Sequence, residues 1–230
     1  MKLSFIIPAW NEETLLGLTI KSIQQSAEDF EFEIIVADDA SDDRTAEIAK
    51  ELGAIVVSCN NRQIGLTRND GAVVATGDLL IFVDADTVVS KTVVRETVEA
   101  IENGAVAGGS FPMFEENVPL LAKVITPTLR IMFRLLRVAA GAYMFCTPES
   151  FEKAGRFDPK FFAAEEVHLS NKLHKFGKYK TINARVVTSG RKFQTHSSFE
   201  IMMTFVLVTI PGIRSIKKRK NLWYGPRTPQ

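Results

Sequence analysis

The stretch Leu79-Leu80-Ile81-Phe82-Val83-Asp84-Ala85-Asp86 decides the fold. Its first five residues form an unbroken apolar run that includes the β-branched Ile81 and Val83. That length and composition suit a strand buried on both faces, as in a parallel sheet. Two carboxylates at the exit of such a strand add nothing to a core. Unpaired and desolvated, they would cost several kcal/mol or take up protons. At the carboxyl end of an α/β sheet, side chains open into the crevice where ligands bind. Two aspartates one residue apart can there hold a divalent cation, and that cation can neutralise a diphosphate. The plainer alternative has Asp86 capping the next helix and Asp84 facing solvent.

Working outward, strands and helices alternate. Residues 3–7 read as a first buried strand ended by Pro8, and Asn11 as the N-cap of a helix running to about Ala27. Glu12 and Glu13 then fall in its first turn, where the helix dipole favours them. A second strand is expected at 32–37, followed by Asp38-Asp39-Ala40-Ser41-Asp42-Asp43. Helices are expected at 44–52, 65–75 and 91–102, with Gly53 and Gly104 as stops, and a third strand at 54–58. This alternation predicts a doubly wound, mostly parallel sheet flanked by helices.

Beyond Gly108 the pattern changes. A loop at 111–118 precedes a long apolar segment at 119–138, where Lys123, Arg130, Arg134 and Arg137 share one helical face and Pro127 predicts a kink. Further elements are expected as a strand at 143–146, helices at 149–154 and 165–176, a strand at 179–187, and C-terminal helical sequence at 197–220 interrupted at Pro211-Gly212. The pattern divides the chain into 1–110, 111–195 and a C-terminal helical segment, 196–230.

With 230 residues, 46% hydrophobic and 24% charged, the chain can build a large core. A formal net charge of +1 gives no global argument for a nucleic-acid partner. Cys59 and Cys146 have neither metal-ligand spacing nor a disulfide framework, which predicts a reducing, cytoplasmic setting. The first residues lead straight into a strand pattern, so no secretory signal is expected.

Pro8-Ala9-Trp10-Asn11-Glu12, Asp38-Asp39 and Asp84-Ala85-Asp86 each follow a strand and would converge on one rim of the sheet. Neither GxxxxGK[ST] nor GxGxxG follows the first strand, so no P-loop or dinucleotide fold is supported. A nucleotide could be read by carboxylates instead, with Asp39 accepting from a base N–H.

These residues carry a resemblance. Residues 5–13, 36–45, Gly65-Leu66-Thr67-Arg68-Asn69-Asp70-Gly71 and Asp84-Ala85-Asp86 resemble the successive motifs of family 2 glycosyltransferases with the GT-A fold. Gly155-Arg156-Phe157-Asp158-Pro159 and Glu165-Glu166-Val167-His168-Leu169 resemble that family's acceptor half. The resemblance implies a nucleotide-sugar donor, with Pro8, Trp10 and Glu12 lining the nucleoside pocket, Asp39 binding the base and Arg68 lying near the nucleotide. It places Asp84 by the ribose or metal and makes Asp86 a ligand of Mg2+ or Mn2+. Glu166 falls at the general-base position, where the family's Glu-Asp pair is replaced by Glu165-Glu166. Glutamate reaches one methylene further, and catalytic geometry is sensitive to such a displacement. In some GT-A enzymes a late histidine completes the metal shell, which makes His196 a candidate ligand. Arg191 or Lys192 could neutralise the leaving diphosphate.

Plainer roles stand beside these. Arg68 could serve only to pair with a carboxylate, Glu12 only to favour a helix N-terminus, and His168 only as a surface or satisfied core group. A Gln-x-x-Arg-Trp motif, usual in the polymer synthases of this fold, is absent, which predicts a single transfer to a glycan or lipid-linked acceptor, and the resemblance implies that this one displacement inverts the anomeric centre. A sugar-phosphate nucleotidyltransferase would open with Gly-x-Gly-Thr-Arg; a non-catalytic nucleotide-sugar-binding protein is the other alternative. The apolar stretch 201–213 is too short to span a bilayer and is followed by Arg214, Lys217, Lys218, Arg219 and Lys220. With the basic stripe at 123–137, it suggests peripheral attachment to an anionic membrane surface.

Overall fold

The computed structural model describes residues 1–114, 131, 141–162 and 164–191. The first half supplies β1 (Lys2–Ala9), α1 (Leu16–Ser26), β2 (Glu31–Asp38), α2 (Thr45–Glu51), β3 (Ile55–Ser58), α3 (Ile64–Val73) and β4 (Leu79–Val83). Then come β5 (Thr87–Val88), α4 (Lys91–Glu102), β6 (Ala105–Gly109) and β7 (Met113–Phe114). The second half adds β8 (Tyr143–Cys146), α5 (Pro148–Lys153), α6 (Glu165–Leu173), β9 (Lys178–Thr181) and β10 (Val187–Thr188).

Seven strands form one sheet in the order β3-β2-β1-β4-β8-β6-β9. Only β8 runs against the others, pairing antiparallel with β4 and β6. The expected mostly parallel α/β sheet is therefore present, and it continues without a break from the first half into the second. Alternate residues of β4 enter opposite cores: Leu79, Ile81 and Val83 pack on one face, Leu80 and Phe82 on the other. Burial on both faces is why this strand is apolar at every position.

Two glycines let the layers close. A Cβ on Gly71 of α3 would stand 2.6 Å from Ile6 Cγ2, so α3 can lie this low on the sheet only without a side chain there. A Cβ on Gly108 would stand 2.0 Å from the Lys180 carbonyl oxygen and 2.3 Å from Phe145 Cζ. Strand β6, Ala-Val-Ala-Gly-Gly, was not expected, because small residues give little strand signal. Its place is set by the tight fit between β8 and β9.

Other expectations need correction. Pro8 does not end β1; pairing with β4 has already stopped at Ile6, so the missing N–H leaves no gap on that side. Asn11 does not cap α1. It has φ +52°, its Oδ1 accepts from the Asp42 amide, and the helix starts at Leu16, beyond Glu12 and Glu13. Asp86 does not cap a helix either, because β5 intervenes and Ser90 caps α4. The strand expected at 179–187 is two strands in different sheets, with β10 joining β5 and β7 in a three-stranded sheet. The segments expected at 119–138, apart from Ile131, and at 197–220 lie outside the described residues.

Candidate functional site

Parallel pairing brings the strand exits together. Ala9 is in register with Asp38, and the Asp39 amide donates to the Ala9 carbonyl at 2.8 Å. Strand β4, adjacent to β1, delivers Asp84 and Asp86 at the same end. The three acidic turns share one rim.

At the β2 side of the rim lies a corner built from Trp10, Asp39, Asn61, Arg62 and Asp70. Asp39 Oδ1 accepts from the backbone amides of Asn61 at 2.6 Å and Arg62 at 3.1 Å. Asn61 Nδ2 in turn donates to Asp70 Oδ2 at 2.6 Å. The Arg62 guanidinium lies 4.6 Å from the centroid of the Trp10 ring, a cation–π contact, and donates to the Ala40 carbonyl. Pro8 lies in β1 just before this corner, in register with Ala37. Asn61 and Arg62 escaped the sequence reading; their signal is positional, a polar pair just beyond β3 beside an acidic turn.

Arg68 on α3 is 1% exposed and holds three carboxylates. Its Nη2 donates to Asp84 Oδ1 at 2.8 Å, and its Nη1 to Glu165 Oε1 at 2.9 Å and Glu166 Oε1 at 2.7 Å. Burial alone would lower the guanidinium pKa, but Glu166, Asp84 and Glu165 outweigh it and raise it. Burial, reinforced by the Glu166 charge, pushes Glu165 above the ordinary carboxylate range. Burial acts on Glu166 in the same direction, yet Arg68 and a backbone amide overcome it and hold Glu166 low. The two shifts run in opposite directions, Glu165 toward its protonated form and Glu166 toward its ionised form.

Local backbone aims this pair. Ala164, directly before α6, is in the left-handed region at φ +63°, an uncommon setting for a residue with a side chain. Gly141 lies against Glu166: a Cβ there would be 3.6 Å from Glu166 Oε1. The motif around Arg68 is clasped to the second half by Asn69, whose Nδ2 donates to the Phe157 carbonyl at 2.9 Å and whose Oδ1 accepts from the Phe157 amide at 3.1 Å.

The third cluster joins Glu12, Asp86 and Arg191. Arg191 Nη2 donates to Glu12 Oε1 at 2.7 Å and Asp86 Oδ2 at 3.0 Å. Thr188 on β10 donates to Asp86 Oδ1 at 3.2 Å, and the Ser189 amide donates to the Asp86 carbonyl. The small β5-β10-β7 sheet thus folds residues near 190 back onto the acidic turn.

Among the described residues, no three His, Cys, Asp or Glu side chains stand close enough to form a metal cage. His196 and Lys192 lie outside those residues. Asp86 still suits a hard cation, since Mg2+-type sites commonly use one or two carboxylates and complete their shell with substrate phosphate and water. Asp84 is less suited, with one oxygen already committed to Arg68. His168 stacks on Phe161 at 4.0 Å with Nε2 3.8 Å from Asp158.

The Glycosyl transferase family 2 model matches residues 4–155, about two-thirds of the sequence. The chain belongs to glycosyltransferase family 2. Over 139 residues it is 34% identical to a dolichol-phosphate mannosyltransferase of Pyrococcus furiosus, a match covering 55% of this chain and 38% of that protein. Two solved structures share the fold of this family 2 chain. The mannosyltransferase PcManGT from Pyrobaculum calidifontis, in complex with GDP-Man and Mn2+, has a TM-score of 0.70 at 18% identity, covering 89% of this chain and 60% of that one. Staphylococcus aureus TarS 1-349, in complex with UDP-GlcNAc, has a TM-score of 0.66 at 18% identity, covering 96% and 70%. The matched regions span well under half the length of the first curated relatives. These likenesses identify the sheet as the GT-A type.

Proposed function

We propose that this family 2 chain transfers a sugar from a nucleoside diphosphate to an acceptor in one inverting, non-processive displacement. The observation that supports it most is the gathering of Asp39, Asp86 and Glu166 on one rim. Asp39 binds the base and Trp10 lines the nucleoside pocket. Glu166 accepts the acceptor's hydroxyl proton as that oxygen bonds to the anomeric carbon and the carbon–phosphate oxygen bond breaks. Because Arg68 holds Glu166 ionised, the base is ready at neutral pH. Arg68 itself is a positioning residue, fixing Glu166 relative to the Asp84 turn.

Mg2+ or Mn2+ bound at Asp86 would supply positive charge to the leaving diphosphate. Arg191, which pairs with that carboxylate here, supplies a second positive charge close by. If the acceptor is a lipid phosphate, its oxygen is already ionised and Glu166 is not needed as a base. The apolar 201–213 stretch and the basic residues after it support attachment to an anionic membrane surface. Flotation with anionic liposomes at low salt tests this, and a chain that stays at the bottom of the gradient rules it out. Among the described residues, no helix is long and apolar enough to cross a membrane.

The test of the reaction measures nucleoside diphosphate release with and without Mn2+ in wild type, Asp86→Ala and Glu166→Gln. Metal-dependent release that collapses in Asp86→Ala supports the transferase. With a hydroxyl acceptor, Glu166→Gln is expected to slow turnover about 10²–10⁴-fold while donor affinity is retained. Wild-type turnover in Glu166→Gln removes it as the base. Donor binding without turnover in wild type favours the non-catalytic alternative.

A further inference from the structure

We propose that Thr19 on α1 is a positioning residue for Asp86, fixing with one buried hydroxyl the backbone on both sides of that carboxylate. This inference rests on the metal reading above and adds to it a residue from outside the acidic turns. The buried face of α1 carries Thr19, Ser22 and Ser26 among Leu16, Ile20 and Ile23. Hydroxyls at positions i, i+3 and i+7 line up on one side of a helix. They add little to an apolar core, so the reason for them lies in what they bond.

Their partners fall within residues 85–89. Strand β5 is terminal in its three-stranded sheet, paired with β10 on one side and with no strand on the other among the described residues. Ala85, Thr87 and Val89 are buried there, and their backbone groups need partners of another kind. Helix α1 supplies them. Ser22 Oγ accepts from the Val89 amide at 3.1 Å, and Ser26 Oγ donates to the Val89 carbonyl at 2.9 Å. Thr19, 1% exposed, donates to the Ala85 carbonyl at 2.8 Å and accepts from the Thr87 amide at 3.2 Å. The Thr87 amide also donates to the Asp84 carbonyl at 3.1 Å, closing a tight turn with Ala85 and Asp86 at its centre.

The carbonyl before Asp86 and the amide after it therefore meet at one oxygen, which limits rotation of the Asp86 backbone. A relay steadies the carboxylate end: Thr87 Oγ1 donates to Thr188 Oγ1 at 3.2 Å, and Thr188 donates to Asp86 Oδ1. Mg2+ demands near-ideal ligand geometry. Loss of a group that orients a metal ligand commonly weakens binding about 10–100-fold.

The test is Mn2+ binding with saturating UDP or GDP, whichever wild type binds more tightly, followed by the paramagnetic resonance signal of free Mn2+. Wild type is compared with Thr19→Val, Thr19→Ser and Ser26→Ala. Thr19→Val keeps the shape and removes the hydroxyl, and its Mn2+ affinity is expected to fall about tenfold or more. Thr19→Ser keeps the hydroxyl and the wild-type affinity. Ser26→Ala loses its bond to the Val89 carbonyl, away from Asp86, so its thermal midpoint falls while its Mn2+ affinity does not. Wild-type affinity in Thr19→Val overturns the inference, as does a Ser26→Ala that weakens Mn2+ binding equally. If Thr19→Val does not fold, Thr19→Ala, which sets no methyl group against the Ala85 carbonyl, is read in the same way. Mn2+ binding that survives Asp86→Ala, or wild type that binds no Mn2+ with either nucleotide, removes the metal reading and this inference together. Binding that needs Asp86 but ignores Thr19 removes this inference alone.

Discussion

Arg68 and Arg191 each bridge carboxylates at the same rim, yet they do different things. Arg68 is buried, comes from the middle of α3 and satisfies three acids from both halves of the chain. Arg191 is partly exposed and bridges two acids through one nitrogen. A buried cation among three carboxylates is a fixed part of the fold, since removing it strands uncompensated charge. A partly hydrated cation can be exchanged for another at small cost. The contrast separates the group that builds the site from the group that can answer to a ligand.

The largest expected effect tests the first half of that contrast. Arg68→Met should destabilise the chain by about 3–5 kcal/mol, because it leaves Asp84, Glu165 and Glu166 without their shared cation. Urea unfolding measures it, and an unchanged midpoint would show that the cluster is not structural. Arg191→Ala, by contrast, should cost less than Arg68→Met in the same assay, since its guanidinium is partly hydrated and holds two acids rather than three, while weakening UDP binding with Mn2+. A stability loss matching that of Arg68→Met would erase the distinction between the two arginines.

Glu165 sharpens the comparison through pH. Its folded pKa is raised by burial and by Glu166, so its share of stability is complete below the ordinary glutamate pKa. That share is lost as the pH rises through the raised value. Glu165→Gln keeps the neutral form at every pH, and its unfolding free energy should lack this decline. Parallel pH profiles for the two proteins would place the retained proton elsewhere. The smallest effect is expected at Ala164, held at φ +63°. Ala164→Gly relieves a left-handed alanine and should change stability by about 1 kcal/mol or less, seen as a small rise in Tm.

How legible the chain was depended on the kind of signal each element carries. Strands β4 and β8 and helix α4 matched their expected bounds, because long apolar runs and a 3.6-residue period are local properties. Strand β6 and the split between β9 and β10 were not legible, because small residues and two-residue pairings become strands only through their neighbours. The helix after β1 was misplaced for a related reason. Asn11, Glu12 and Glu13 look like a helix start, but their partners lie after β2: Asn11 with Ser41 and Asp42 in the turn, Glu12 with Thr45 at the start of α2.

The same division runs through the site. The acidic turns, the glutamate pair and Arg68 could be picked out as chemistry-bearing residues, since carboxylates at strand exits have no place in a core. Nothing local says that Arg68 will meet Glu165 and Glu166 across 97 and 98 residues of chain. Nor does it say that the two amides after β3 will occupy one oxygen of Asp39. Sequence determined which groups are present and roughly where strands end, because burial patterns are written in the order of side chains. Tertiary structure alone decided which charges share a cation and which oxygen is taken, because pairing energies depend on distances that only the folded sheet sets.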